Sequence, residues 1–375
     1  MTVNSEKSGG QASNGSRREG NGFRPDAANP PWPGSYPDSR GHGRPVYGAV
    51  DLGTNNCRLL VAKPVHGGFR VIDAFSRIVR LGEGLSSTGM LSEQAMDRAV
   101  DALAVCAGKL GRRQTTRLRA VATEACRAAG NSSHFVDRVR EETGIALDVI
   151  TPAEEARLAV MGCWSLLEAC SGRAIIFDIG GGSTEVILTD VSGPGEPRII
   201  DWLSIPLGVV TLSERIDADG ISRALYEDII GEVENALADF NIRNGLANGG
   251  SEDVTLVGTS GTVTTLTSVH LGLQEYDRSL VDGAQVELAE IYKLAREVTF
   301  LDHASRVAIP CIGDERARLV VPGCVIFEAI VSSWKIDKLM VADRGIREGV
   351  LRKLMRRDPL VNAPKRQLAN ANGGG

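Results

Sequence analysis

The sequence predicts an α/β protein of two related domains flanking a cleft. Three observations carry that prediction. Two segments far apart in the chain share one order of strand, Asp, aliphatic residue, Gly, polar turn and returning strand: Tyr47 to Lys63 around Asp51-Leu52-Gly53-Thr54-Asn55-Asn56, and Ala174 to Thr189 around Asp178-Ile179-Gly180-Gly181-Gly182-Ser183. A third glycine turn, Gly258-Thr259-Ser260-Gly261-Thr262, follows the apolar run Val254 to Val257 and opens a helix expected over 263–271. Between these landmarks apolar strands alternate with amphipathic helices, as in a largely parallel, covered sheet. Related units of this kind set their hairpins face to face across a cleft, where ligands commonly sit.

The elements follow in order. Residues 1–45 contain 8 Gly, 6 Pro, 6 Ser and 4 Asn without periodicity, and read as a disordered leader. Its six basic and four acidic residues are too balanced for a nucleic-acid arm. Strands are expected over 47–50, 57–63 and 69–75, followed by a loop, 76–90, that runs along the cleft with Arg77 and Arg80. Ser92 caps a helix reaching Leu110, with Ala95, Ala99, Leu103 and Cys106 or Ala107 at helical spacing. A strand over 118–122, a helix over 133–143 and a strand over 145–150 come next. Thr151 as N-cap, Pro152 at the first helical position and Glu154 at the capping-box position open another helix. Glu155 has no capping role; it is either one of the acids common in first helical turns or a catalytic group. Arg127 and Arg157 read as ion-pair partners of nearby carboxylates, with substrate contact as the alternative.

Past the second hairpin, Pro194 to Pro197 mark a loop before a strand over 199–205. The helix expected over 222–240 carries Leu225, Ile229, Val233, Leu237 and Phe240 on one face. A Gly/Asn-rich loop over 241–253, helices over 286–301 and 319–333, a last strand Lys338 to Ala342 and a tail from Asp358 complete the chain. The expected division is a first domain over 46–168 with a returning segment 336–357, and a second domain over 169–335.

Three successive glycines, Gly180, Gly181 and Gly182, beside Ser183, let a backbone approach an anion closely and aim N–H groups at it. Gly53, Thr54 and Asn55 repeat the arrangement, and Gly258, Ser260, Gly261 and Thr262 place a third anion site at a helix N-terminus. The plain alternative is a tight turn that needs glycine. Asp51 and Asp178, at the strand ends, are placed to hold a phosphate or its Mg²⁺, directly or through water, or else cap their turns. Glu185 either reaches that metal or is a solvated strand residue.

Composition narrows the classes. A net charge of −5 and a pI near 5.7 argue against a broadly basic nucleic-acid binder, so a polyanionic substrate needs a local basic lining. Seven cysteines without a C-x-x-C pair and five histidines without ligand spacing argue against zinc and suit a reducing compartment. No stretch approaches 18 apolar residues and the N-terminus has no apolar core, so a cytoplasmic protein without membrane contact is expected.

Six motifs lie in register from about Val46 to Leu354: Val50-Asp51-Leu52-Gly53-Thr54-Asn55, Ala122-Thr123-Glu124-Ala125-Cys126-Arg127, Glu154-Glu155-Ala156-Arg157, Phe177-Asp178-Ile179-Gly180-Gly181-Gly182-Ser183-Thr184-Glu185, Gly258-Thr259-Ser260-Gly261-Thr262 and Ala342-Asp343-Arg344-Gly345-Ile346-Arg347-Glu348-Gly349. Together they resemble the exopolyphosphatase and guanosine pentaphosphate phosphatase family. The resemblance implies an actin-like, ribonuclease H-like fold of the ATPase superfamily and hydrolysis of a terminal phosphoanhydride. It puts the residue that acts on the attacking water at Glu155 and substrate-lining arginines at Arg58 and Arg316. It further implies the short form, without the extra C-terminal helical domain of larger members. Two departures, the Thr-Ser pair inside the third turn and Val281-Asp282-Gly283 where some relatives carry histidine before glycine, bear on the shape of the substrate channel.

A phosphoanhydride resists attack because its oxygens repel a nucleophile, so hydrolysis needs charge neutralisation and a positioned water. Hairpin N–H groups, Mg²⁺ near Asp178 and the two arginines serve the first need, and Glu155 the second. The expected substrate is inorganic polyphosphate, with guanosine pentaphosphate as the rival. An actin-fold sugar or acetate kinase and a silent phosphate-ligand sensor are the other classes, and a homodimer is left open. The short form has nothing to enclose a long polymer, so shorter chains are the expected preference.

Overall fold

The computed structural model describes residues 45–216, 220–247 and 254–358. The expected leader, except Pro45, and the tail beyond Asp358 lie outside these residues, as does part of the 241–253 loop. In the first half, β1 (Tyr47–Leu52), β2 (Asn56–Val65) and β3 (Gly68–Ile78) precede α1 (Leu85–Thr88) and α2 (Glu93–Arg112); then come β4 (Arg117–Ala122), α3 (Glu124–Ala128), α4 (Ser132–Thr143), β5 (Leu147–Val149) and α5 (Pro152–Leu167). The second half opens with β6 (Arg173–Ile179), β7 (Thr184–Asp190), β8 (Arg198–Ile205), α6 (Val209–Ser213), α7 (Arg223–Arg243), β9 (Val254–Thr259) and α8 (Gly261–His270). It closes with α9 (Arg278–Val281), β10 (Gln285–Glu287), α10 (Leu288–Phe300), α11 (His303–Val307), α12 (Gly313–Ala317), α13 (Val320–Val331), β11 (Lys338–Ala342) and α14 (Ile346–Arg357).

Two sheets form, ordered β3-β2-β1-β4-β5 and β10-β11-β9-β6-β7-β8. Without the edge strand β10, the second sheet repeats the first strand for strand. In each, the first three strands form an antiparallel meander, and two later strands join parallel to the first. This is the actin-like, ribonuclease H-like fold, and the chain segments described here form one compact unit.

Period-two burial explains the layers. Val50, Leu52, Leu59 and Val61 pack with Met96, Leu103 and Cys106 of α2, while the other face of the same strands offers Tyr47, Ala49, Leu60 and Ala62 to Ile346, Val350 and Leu351 of α14. In the second sheet Ile175, Phe177, Val186 and Leu256 face α7, α10 and α13, and Ala174, Ile176, Ile187 and Val257 face Ala156, Ala159, Val160 and Cys163 of α5. Each inner helix therefore follows the last parallel strand of one sheet and covers the other sheet. They cross in close contact: a Cβ on Gly162 would stand 2.1 Å from Gly345 O, and one on Gly349 would stand 2.0 Å from Leu158 O.

This exchange corrects the expected division of the chain. Lys338–Ala342 pairs with β9 in the second sheet, so of the returning segment 336–357 only α14 serves the first sheet, and α5 leaves the first domain to pack on the second. Other boundaries move for local reasons. Gln285–Glu287 alternates exposed, buried, exposed and pairs with β11, so the helix expected from Val286 begins at Leu288. The loop 76–90 is strand to Ile78 and contains the single turn α1. Asp358 is not tail: it is buried, and its Oδ2 accepts the Tyr47 hydroxyl at 2.7 Å. Ser92, Thr151 and Ser222 cap their helices by accepting from Ala95, Glu154 and Leu225 N–H. The capping box at Thr151 is only half made, because Glu154 turns instead to Arg119 at 2.7 Å and Lys353 at 2.6 Å.

Candidate active site

The two hairpins close in the same way. Gly53 N–H donates to Asn56 O at 2.9 Å, and Gly180 N–H donates to Ser183 O at 2.9 Å. Cross-strand register then sets the side chains: Asp51 stands opposite Arg58, and Asp178 opposite Glu185, so each pair shares a face of its sheet. The turns touch one another. A Cβ on Gly181 would lie 2.9 Å from Thr54 Cβ, and one on Gly182 would lie 2.7 Å from Thr54 Oγ1. Gly181 also meets Gly208, where a Cβ would come within 2.4 Å of its backbone. The glycine run thus serves hairpin-to-hairpin contact as well as exposing backbone. Val209 N–H takes Gly180 O and Val210 N–H takes Gly181 O at the start of α6, whereas the N–H groups of Thr54, Asn55, Gly181 and Gly182 donate to no acceptor among the described residues.

A cavity of about 550 Å³ opens between the hairpins. Asp51, Gly53, Thr54, Asn55, Arg58, Glu155, Asp178, Gly180, Gly181, Gly182, Ser183, Glu185, Ser260, Gly261, Thr262 and Arg316 all line it. Of the residues expected to bind phosphate, Gly258 does not, and Arg80, expected along the cleft, does not either. A Cβ on Gly258 would stand 2.7 Å from Phe177 Cζ, so this glycine makes room for a core aromatic and is corrected from anion site to packing position. Ser260 caps α8 by accepting from Val263 N–H at 3.1 Å. Arg316 reaches the wall through Thr265 Oγ1 at 3.1 Å.

Glu155 sits in the first turn of α5 and is 7% exposed. Its Oε2 accepts from Arg127 Nη1 at 2.6 Å; the same guanidinium donates to Ile150 O at 2.9 Å and, through Nε, to Glu124 Oε2 at 3.0 Å. Three acceptors thus hold the Arg127 guanidinium in place, and one of its bonds orients the Glu155 carboxylate. The sequence marked Arg127 as a partner of some carboxylate, but not of this one. Arg157 is exposed and makes none of the described ion pairs. Further residues were missed as site members. Thr123, Glu124 and Glu315 line the cavity beside Arg77, which the sequence does place along the cleft, and Arg347 of α14 is near enough to Asp51 to favour its charged form. Thr123, Glu124 and Arg347 lie inside the six motifs, which were the available signal.

The electrostatics are severe. Burial, then the charge of Glu155 and Asp51, pushes the Asp178 carboxyl up to about 7, against the pull of Arg58. Burial and Glu185 raise Glu155, with Arg127 opposing; burial and Asp178 raise Glu185; burial raises Asp51. Glu185 is 2% exposed, and its Oε1 accepts from Ser183 and Ser204 hydroxyls at 2.7 and 2.9 Å, so the reading of a solvated strand residue is corrected. Asn55 Oδ1 is buried without a hydrogen-bond partner. Repelling carboxylates and an orphan oxygen suit a divalent cation. No three His, Cys, Asp or Glu among the described residues converge to ligate one ion, so the fit is to a hard cation that takes its remaining ligands from water and phosphate oxygens. Among the described residues no helix is long and apolar enough to cross a membrane.

Comparisons with known proteins agree with this geometry. A family model described as the Ppx/GppA phosphatase family matches residues 60–358. Exopolyphosphatase 2 of Mycobacterium tuberculosis (strain H37Rv) is 30% identical over 80% of this chain and 96% of its own length. The guanosine-5'-triphosphate,3'-diphosphate pyrophosphatase of Photobacterium profundum is 30% identical over 83% of this chain, which spans 59% of that protein. The crystal structure of the Aquifex aeolicus member of the Ppx/GppA protein family superposes with a TM-score of 0.70 at 26% identity, over 84% of this chain and 99% of that one. An exopolyphosphatase from Cytophaga hutchinsonii, at 24% identity and a TM-score of 0.74 over 82% and 97% of the two chains, shows the shared fold.

Proposed function

Because the chain belongs to the Ppx/GppA phosphatase family, we propose that it is an exopolyphosphatase, removing terminal orthophosphate from inorganic polyphosphate. The observation that carries this reading is the convergence of a buried, arginine-clamped Glu155 with two phosphate-type hairpins and two cleft arginines in one cavity. The relatives named exopolyphosphatase and pyrophosphatase are equally similar, each 30% identical, so guanosine pentaphosphate stands as the rival substrate. Both substrates share the bond broken.

The terminal phosphate is received by the unpaired N–H groups of Thr54, Asn55, Gly181 and Gly182, which act as fixed dipoles that need no reorganisation. Arg58 and Arg316 neutralise its oxygens from facing walls. Asp178, with Glu185 opposite it on the hairpin, would hold the divalent ion, Mg²⁺, which supplies charge neutralisation when bound. Glu155 orients the attacking water and takes its proton, while Arg127 aims that carboxylate and favours its ionised form against the burial that raises it.

The deciding experiment compares phosphate release from inorganic polyphosphate, guanosine pentaphosphate and ATP with Mg²⁺. Polyphosphate is expected to be fastest, and faster release from guanosine pentaphosphate would reverse the ranking. At matched concentrations of chain ends, short polyphosphate is expected to turn over faster than long.

Replacing Arg127 by Gln removes the opposing charge from Glu155. The pH at which turnover reaches half its maximum should move upward, with kcat reduced roughly 10-fold or more and KM little changed. An unshifted profile would limit Arg127 to holding the fold.

The acid cluster also makes a stability prediction. Folded-state values of Asp178, Glu155 and Glu185 are raised, so the folded protein binds protons more tightly than the unfolded chain. Their contribution is therefore most favourable below the unfolded values near about 4 and declines as pH rises through about 7 for Asp178 and Glu185 and about 8 for Glu155. In chelator, Tm should fall across that interval, and Mg²⁺ should restore part of the loss. A Tm insensitive to Mg²⁺ above neutrality would argue against a metal at these carboxylates.

A further inference from the structure

A second cavity, of about 270 Å³, lies between α7, α10 and α13. Tyr226 and Gly231 of α7 and Tyr292 of α10 line it, with Glu328 of α13, and the exposed Glu227 and Glu234 stand at its edge. A Cβ on Gly231 would meet no atom within 4 Å, so the space is open at a helix-interior glycine, a residue that costs helix stability. The site is separate from the cleft: Glu328 follows the cleft residue Val320 by eight positions, about 12 Å along α13.

Glu328 is 1% exposed. Its Oε2 accepts the Tyr226 hydroxyl at 2.8 Å, but Oε1 is buried without a partner. The neighbouring Thr299 hydroxyl commits its one proton to Ala295 O at 2.8 Å. Arg296 Nε stays 3.8 Å from Oε2, too far for a hydrogen bond, on a half-exposed side chain. A buried carboxylate oxygen left unpaired is costly and is normally met by a donor or a cation. Burial accordingly pushes this carboxyl up to about 7.

We propose that this cavity binds a small organic cation, a primary ammonium on a short aliphatic chain, seated on Glu328 between Tyr226 and Tyr292. The ammonium supplies the donor that Oε1 lacks, the tyrosine rings accept the charge and the methylenes, and Glu234 draws cations to the mouth, whereas Glu227 is paired with Arg223 at 2.8 Å. A bare metal ion fits poorly, because calcium or magnesium needs six or more oxygens and this cavity offers one buried carboxylate.

Calorimetric titration with diaminobutane, in phosphate-free buffer above neutrality, tests the proposal, with butanediol as the neutral control. The wild type should bind the diamine and not the diol. Glu328→Gln should weaken binding about tenfold or more, as expected for losing a charge-assisted bond. Gly231→Leu fills the space without changing a charge and should abolish binding. It also decides the matter if the Gln variant does not fold. Absence of diamine binding, equal binding of the diol, or undiminished binding in both folded variants, as diamine held by the cleft carboxylates would give, overturns it. None of these readings depends on phosphate release.

Discussion

Glu155→Gln should leave the protein folded and phosphate release from polyphosphate reduced roughly 10²- to 10⁴-fold, the span expected for a positioned general base. The fold should survive because the amide is isosteric and Arg127 still finds an oxygen at the 2.6 Å contact. Removing one buried negative charge from a cluster in which Glu155 raises Asp178 should even ease the repulsion. KM should change little, since the amide alters neither the hairpin N–H groups nor Arg58 and Arg316; a group that acts chiefly in the transition state lowers kcat and kcat/KM together. The measurement is steady-state phosphate release at saturating Mg²⁺, with circular dichroism to establish folding. Near-native kcat in a folded variant would take Glu155 out of the chemistry and make the cleft a binding site.

The sequence shows the parts of this site that are local. Each hairpin is legible because strand, Asp and glycine turn are contiguous, and Thr151-Pro152 announces α5 because a cap acts within one turn. The exchange of inner helices is not legible. Ala156, Ala159, Val160 and Cys163 make an apolar face whose spacing says nothing about which sheet it covers. The same limit hides the Arg127–Glu155 bond, whose partners are 28 positions apart, and the Tyr47–Asp358 bond, whose partners are 311 apart. Gly258 shows a further kind of ambiguity. A glycine that admits phosphate and one that admits a phenyl ring are the same letter, and only packing against Phe177 separates them. β10 is too short, at three residues, for alternation to outweigh the helical run that follows it.

Those two inner helices carry the second large effect. Gly349→Ala would place a methyl 2.0 Å from Leu158 O, against backbone that cannot rotate away, so α5 and α14 must separate. Overpacking of this kind costs roughly 1–3 kcal/mol or more, which for a chain of this size lowers Tm by about 1–2 °C per kcal/mol. The consequence should not stop at stability. α5 holds Glu155 in its first turn, and Glu154 ties that turn to Lys353 of α14 at 2.6 Å, so a shift at the crossing moves the carboxylate relative to Asp178 on β6. A displacement of about 1 Å can cost on the order of 10²-fold in rate. Gly111→Ala is the control: Gly111 lies in α2 with nothing within 4 Å of an added Cβ, and alanine there should be neutral or stabilising by about 0.5–1 kcal/mol. Thermal melts and kcat on both variants separate the possibilities. Loss of Tm and kcat in Gly349→Ala alone ties the crossing to the site. Loss of Tm with native kcat in the folded fraction would mean that the crossing supports the fold without setting the position of Glu155. A native melt would show that the helices part more easily than their close approach implies.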